Sequence, residues 1–167
     1  MANNRNYPID VDGTEALSTV LLSLLNSFPG LESGKKIKFS TLAKTSGIAV
    51  FPSAGAAIIQ NRESVTGHVT QSCQYLFTLV YRTAPETEKQ RLRIKEFLDT
   101  IGRWLEMQPV NIRGEAVKLE AYPVLTGTRI IKSIRRTTPG HLNVAYPDGV
   151  EDWTIAATLS YENEYDK

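Results

Sequence analysis

Val69-Thr70-Gln71-Ser72-Cys73-Gln74-Tyr75-Leu76-Phe77-Thr78-Leu79-Val80-Tyr81 decides how this chain folds. Its odd positions are Val, Gln, Cys, Tyr, Phe, Leu and Tyr, whereas its even positions are Thr, Ser and Gln until Leu76 and Val80. A period of two marks a β-strand with one face on a core, and both faces turn apolar toward Tyr81. At about 3.3 Å per residue the stretch runs ~43 Å, slightly more than the ~40 Å breadth of a compact domain of this length. The strand therefore either bends at a bulge or projects at its Gln71 end, where it can reach a neighbouring subunit.

Downstream, Thr83-Ala84-Pro85 ends the strand and opens a helix. The cap is expected at Thr83 or Ala84, with Pro85 in the first turn and Glu86 and Glu88 at the positive end of the dipole. Ile94, Phe97, Leu98, Ile101, Trp104 and Leu105 form its apolar stripe, and the mixed charges elsewhere read as a solvated face. Upstream, Leu17, Val20, Leu21, Leu24, Leu25 and Phe28 give a second amphipathic helix over 14–28, capped by Thr14 and stopped by Pro29-Gly30. Residues 1–13, polar with Pro8 and Asp12-Gly13, read as a flexible N-terminal arm.

Shorter strands are expected at 35–39, 48–51 and 56–59, with Pro52-Ser53-Ala54-Gly55 as a turn, and again at 116–121 and 127–136. The last strand alternates cleanly, with Trp153, Ile155, Ala157, Leu159 and Tyr161 on one side and Thr154, Ala156, Thr158 and Ser160 on the other. Helix, strands, helix, strands is the order of an α+β domain, with two amphipathic helices packed on one face of a mainly antiparallel sheet. That domain is expected over 14–161, followed by an acidic C-terminal tail at 162–167.

A chain of 167 residues and 18.6 kDa suits one core. Nineteen basic against eighteen acidic residues give a net charge of +1, which argues against a general nucleic-acid or anionic-membrane binder. A lone cysteine, Cys73, makes no intrachain disulfide and points to synthesis in a reducing compartment. The first residues lack the apolar run of a signal peptide, and no stretch has the roughly 18 apolar residues of a membrane span.

No catalytic, cofactor or metal motif emerges. Gly30-Leu31-Glu32-Ser33-Gly34-Lys35-Lys36 is one residue short of a phosphate loop, follows a helix, and has Lys36 where a Ser or Thr would bind magnesium. His68 and Cys73, five apart on one strand, face opposite sides and form no nucleophile–base pair; Cys73 is expected to be buried. His141, after Pro139-Gly140, reads as an exposed turn residue. The expectation is a non-enzyme that needs no cofactor.

Charge placement says more than total charge. Arg129, Lys132, Arg135 and Arg136 cluster within eight residues, whereas 148–167 is net −5, leaving +6 on the rest. The two segments either neutralise each other across paired strands or meet head to tail between subunits, which closes a ring when the rotation allows. Phe51, Pro52, Ile58 and Ile59 likewise read either as core strand pairing or as an apolar contact region.

The segment from Gly67-His68-Val69-Thr70 to Tyr81-Arg82, with Thr83-Ala84-Pro85-Glu86-Thr87-Glu88-Lys89 and the helix from Ile94 to Leu105, resembles the minor-capsid or tail-completion family of tailed bacteriophages. The likeness spans about residues 14–161 and rests on element order rather than on a catalytic signature. It implies a tail-terminator-like subunit, forming a homo-oligomeric, hexameric ring at the head-proximal end of the tail tube. Its partners would be the tail-tube protein and a head–tail connector, with transient contact to DNA passing through the ring, and its place the virion tail or neck after assembly in the host cytoplasm. A neck protein on the head side is the alternative within that class, and a small α+β enzyme or ligand-binding domain the alternative outside it. Phe51, Pro52, Ile58, Ile59, Arg129, Lys132, Arg135 and Arg136 are the contact candidates read from the residues themselves.

Overall fold

A computed structural model describes residues 14–53, 56–125 and 127–167, without the side chains of 14–16. The expected N-terminal arm, the Thr14 cap and the Ala54-Gly55 half of the expected turn lie outside the described residues. The elements are α1 (Thr14–Asn26), β1 (Ile37–Phe39), β2 (Gly47–Pro52), β3 (Ala57–Glu63), β4 (His68–Thr83), α2 (Glu88–Leu105), β5 (Val110–Ile112), β6 (Glu115–Val117), β7 (Arg129–Arg136), β8 (His141–Ala145) and β9 (Glu151–Asp166). The fold is α+β: a seven-stranded sheet, antiparallel except for the β1–β2 pair, a small β5–β6 hairpin, and two helices sharing one core with the sheet.

Two strands form its spine. β4 and β9 pair antiparallel over sixteen residues, from His68 opposite Asp166 to Thr83 opposite Glu151, without a register shift. Of the two expectations for the long strand, the bulge in this pair is ruled out. At about 3.3 Å per residue the ribbon is ~50 Å long; the β4 members of the main core cluster begin at Cys73, and at the His68–Ser72 end Val69 is buried while its neighbours are half-buried. β2 and β3 flank β4 end to end on one side, and β7 and β8 flank β9 on the other.

Alternation sorts the side chains. Cys73, Tyr75, Phe77 and Leu79 of β4 and Ile155, Ala157, Leu159 and Tyr161 of β9 are buried on the helix side. Leu17, Leu21, Leu24 and Leu25 of α1 share this core with Phe28, which lies beyond the helix because α1 ends at Asn26, two residues short of the expected 28, and Ser18 Oγ lies 2.7 Å from Tyr75 Oη. Phe28 meets Phe97 edge-on at 5.9 Å and Trp104 at 5.2 Å, joining the two helices. Full burial of each such side chain is worth about 1.5–3 kcal/mol.

The start of α2 differs from expectation. Thr83 still belongs to β4, and the cap is Thr87, whose Oγ1 accepts from Gln90 N while Gln90 Oε1 accepts from Thr87 N and Glu86 N. This reciprocal box satisfies donors that a proline-first start would have left to water. The α2 stripe also includes Gly102, where a Cβ would lie 2.9 Å from Ile155 Cδ1 and against the Arg136 stem. Strand 116–121 shrinks to β6, which turns back on β5 through Arg113 (φ 51°) and Gly114 (φ 85°). His141 is exposed as expected but stands on β8, not in a turn. Finally, five of the six residues set apart as a tail are strand: β9 runs to Asp166, leaving Lys167 beyond it.

Candidate assembly surface

The four basic residues of β7 fall on different sides because the strand carries a bulge between Ile131 and Ser133. One extra residue reverses the alternation, so Ile131 and Ile134 both reach the core and Arg136 follows them to the helix side. There Arg136 Nε lies 2.6 Å from Glu106 Oε1, and Arg136 N donates to the same oxygen at 3.0 Å. Burial alone would raise the Glu106 pKa; the side-chain and backbone hydrogen bonds of Arg136 outweigh it and hold the carboxyl below its ordinary value. Arg136 is thus an internal ion-pair residue rather than an outward contact, correcting the sequence expectation. Lys132 meets Glu162 of β9 at 3.2 Å, the cross-strand neutralisation that the charge pattern left open. Arg129 is half-buried opposite Asn163, and Arg135 is exposed opposite Thr158 on the face away from the helices.

The apolar candidates separate too. Phe51 and Pro52 end β2, half-buried and paired with Thr78 and Phe77, as strand pairing required. Ile58 and Ile59 sit on β3, where all seven residues are exposed, Ile58 to 48% and Ile59 to 61%. Ile58 opposes Cys73, and the register shifts at Ile59. What brings the contact candidates near each other is the far end of the ribbon: Ile58, Gln71, Cys73, Arg129, Tyr161 and Asn163 line one shallow depression there.

Acidic residues at that end are laced into the sheet. Asp166 lies 2.8 Å from His68 Nδ1, Lys167 Nζ is 2.8 Å from Glu63, and Asn163 Nδ2 donates to Gln71. The open face between β7 and β2 is built of the small or polar residues Ser133, Ser160, Thr158, Ala156, Thr78 and Gln74 around an exposed Leu76.

The opposite end of the spine holds a clamp that the sequence did not disclose. Arg82 grips Asp152 through Nε (2.7 Å) and Nη2 (2.8 Å), and Tyr146 Oη donates to the same carboxylate at 3.0 Å. The Arg82 hydrogen bond outweighs burial and keeps the Asp152 carboxyl below its usual range. Arg91 of α2 similarly holds Glu151 at 3.0 Å. These two buried carboxylates belong to the segment that reads as simply acidic; their partners are sixty and seventy residues away, and only the alternation continuing into 151–152 hints at them.

A cleft of about 360 Å³ opens between the 30–35 turn and the start of α2, with Leu31, Ile48, Ile94 and Phe97 on its walls. Lys35 crosses it to Tyr81 Oη (2.8 Å) and Glu32 (3.0 Å). Burial lowers the Lys35 pKa, but its hydrogen bonds to Tyr81 and Glu32 outweigh this and raise it, which favours the charged amine. Among the described residues no group of three or more His, Cys, Asp or Glu could hold a metal ion, and no helix is long and apolar enough to cross a membrane. No protein-family model matches the chain, and no curated protein does.

Proposed function

We propose that the protein is a structural subunit rather than an enzyme, and that it assembles as a homo-oligomeric ring capping the head-proximal end of a phage or phage-like tail tube. What carries the reading is β3, exposed along its whole length beside the far end of the sixteen-residue β4–β9 ribbon, with Ile58 and Ile59 open on it. Exposed isoleucines on a marginal strand are what a subunit that must touch a neighbour presents. The family likeness of 14–161 supplies the identity of the assembly.

Capping is steric and thermodynamic. One face of the ring occupies the tube surface that would recruit the next tube layer, and the other meets the head–tail connector. The protein acts in the virion tail after assembly in the host cytoplasm. Arg135, exposed on the open face, is the basic contact residue this reading retains. Electron microscopy of the purified protein mixed with assembled tail tubes, alongside its solution mass, tests it. Rings at one tube end are expected, and a monomer that never associates with tube ends overturns the reading.

A further inference from the structure

The seven-stranded sheet has four marginal strands, β1 and β3 on one side, β7 and β8 on the other. Two of these margins are closed by side chains. Asn26 of α1 accepts from Ile37 N (2.8 Å) and donates to Ile37 O (2.9 Å), satisfying the outer groups of Ile37 at the start of this three-residue strand. On β7, Ile134 N donates to Tyr122 Oη (3.2 Å) and Arg136 N to Glu106 Oε1 (3.0 Å). Among the described residues, no hydrogen bond from another element reaches the outer backbone of β3 or β8.

An open strand edge is a template for another strand. From these two edges we infer that β3 of one copy pairs with β8 of the next, continuing the sheet from subunit to subunit; the inference rests on the ring reading above. The open edges lie on opposite margins of one sheet, so their union is head to tail, the heterologous contact that closes a ring or extends a filament. Both expose aliphatic side chains, Ile58 and Ile59 on β3 and Leu142 (42%) and Val144 (36%) on β8. β3 carries one charge of each sign, Arg62 and Glu63, and β8 has only His141 as a titratable group, so pairing sets no like charges opposite each other. Each strand also carries one bulge, between Ile58 and Gln60 and between Leu142 and Val144. Bulges increase local twist and so restrict each edge to a partner of matching twist.

The test is a complementation of full-length variants read by solution mass. Asn61→Pro removes an outward-facing donor from β3, and Ala145→Pro one from β8, positions whose register turns the amide away from β4 and β9; Ile59→Lys and Val144→Lys test each edge through its side chains without altering the backbone. Wild type is expected as a multiple of the 18.6 kDa chain, each variant alone as a monomer. An equal mixture of a β3 variant with a β8 variant retains one intact junction and is expected at twice the chain mass. If wild type is multimeric and both kinds of variant remain so, the edge pairing is overturned while the ring reading stands. If only β3 variants fall apart and mixing restores nothing, the head-to-tail pairing is overturned in favour of β3 against β3. If wild type itself stays monomeric with and without tubes, the ring reading fails and takes this inference with it.

Discussion

β7 and β3 are both marginal strands of the same sheet, yet one is sealed and the other bare. Outer amides of β7 are taken by Tyr122 and Glu106, and Arg136 packs its stem under α2 at Gly102. β3 is exposed along its whole length. The difference is not one of strand propensity, since both contain adjacent isoleucines, but of what the rest of the chain places beside them. A margin becomes part of the folded unit when a helix end and a loop supply acceptors for its backbone.

The largest expected effect breaks the sealed side. Gly102→Val drives a branched side chain into Ile155 and the Arg136 stem, and should cost about 3 kcal/mol in denaturant unfolding, whereas Gly34→Val, in open space but at positive φ, should cost less. Glu106→Gln should cost about 2 kcal/mol at pH 7, the range of hydrogen bonds to charged groups. Because the folded pKa of Glu106 lies below its unfolded value of about 4.5, the stability it contributes is complete above that pH and is lost as pH falls through the folded value. The Gln variant should therefore show a shallower loss of stability below pH ~4.5 than wild type, measured by urea midpoints across pH. Tyr122→Phe leaves Ile134 N without its acceptor and Leu105 O without its donor, for about 1 kcal/mol, and should speed hydrogen exchange at Ile134. Smallest is Ile59→Lys on the bare side, within about 0.5 kcal/mol for the isolated chain, whose outward-facing β3 amides exchange fast with or without the substitution while those paired with β4 stay protected.

The same contrast explains what could be read in the sequence. β4, β9 and the α2 stripe were legible because long apolar alternation on a buried face leaves little freedom of register. β8 was not: His-Leu-Asn-Val-Ala is exposed throughout and broken by a bulge, so no period survives. The basic residues of β7 misled for a related reason. Four charges within eight residues look like one patch, but the bulge at Lys132 sends Arg136 inward, and its only sequence trace is the three-residue spacing of Ile131 and Ile134. Residues 162–166 read as a tail because composition shows charge and not the partners, Lys132 and His68, that absorb it. The cap at Thr87 was available as Thr87-x-x-Gln90, overshadowed by the proline two residues earlier.

The unbroken pairing of β4 with β9 also sets when this fold can be complete. It joins residue 68 to residue 166 and residue 83 to residue 151, with α2 and four short strands between them. Non-local pairing of this kind is slow because chain closure precedes its reward. β4 therefore waits for β9, and the sheet is complete only once the last strand of the fold has been made.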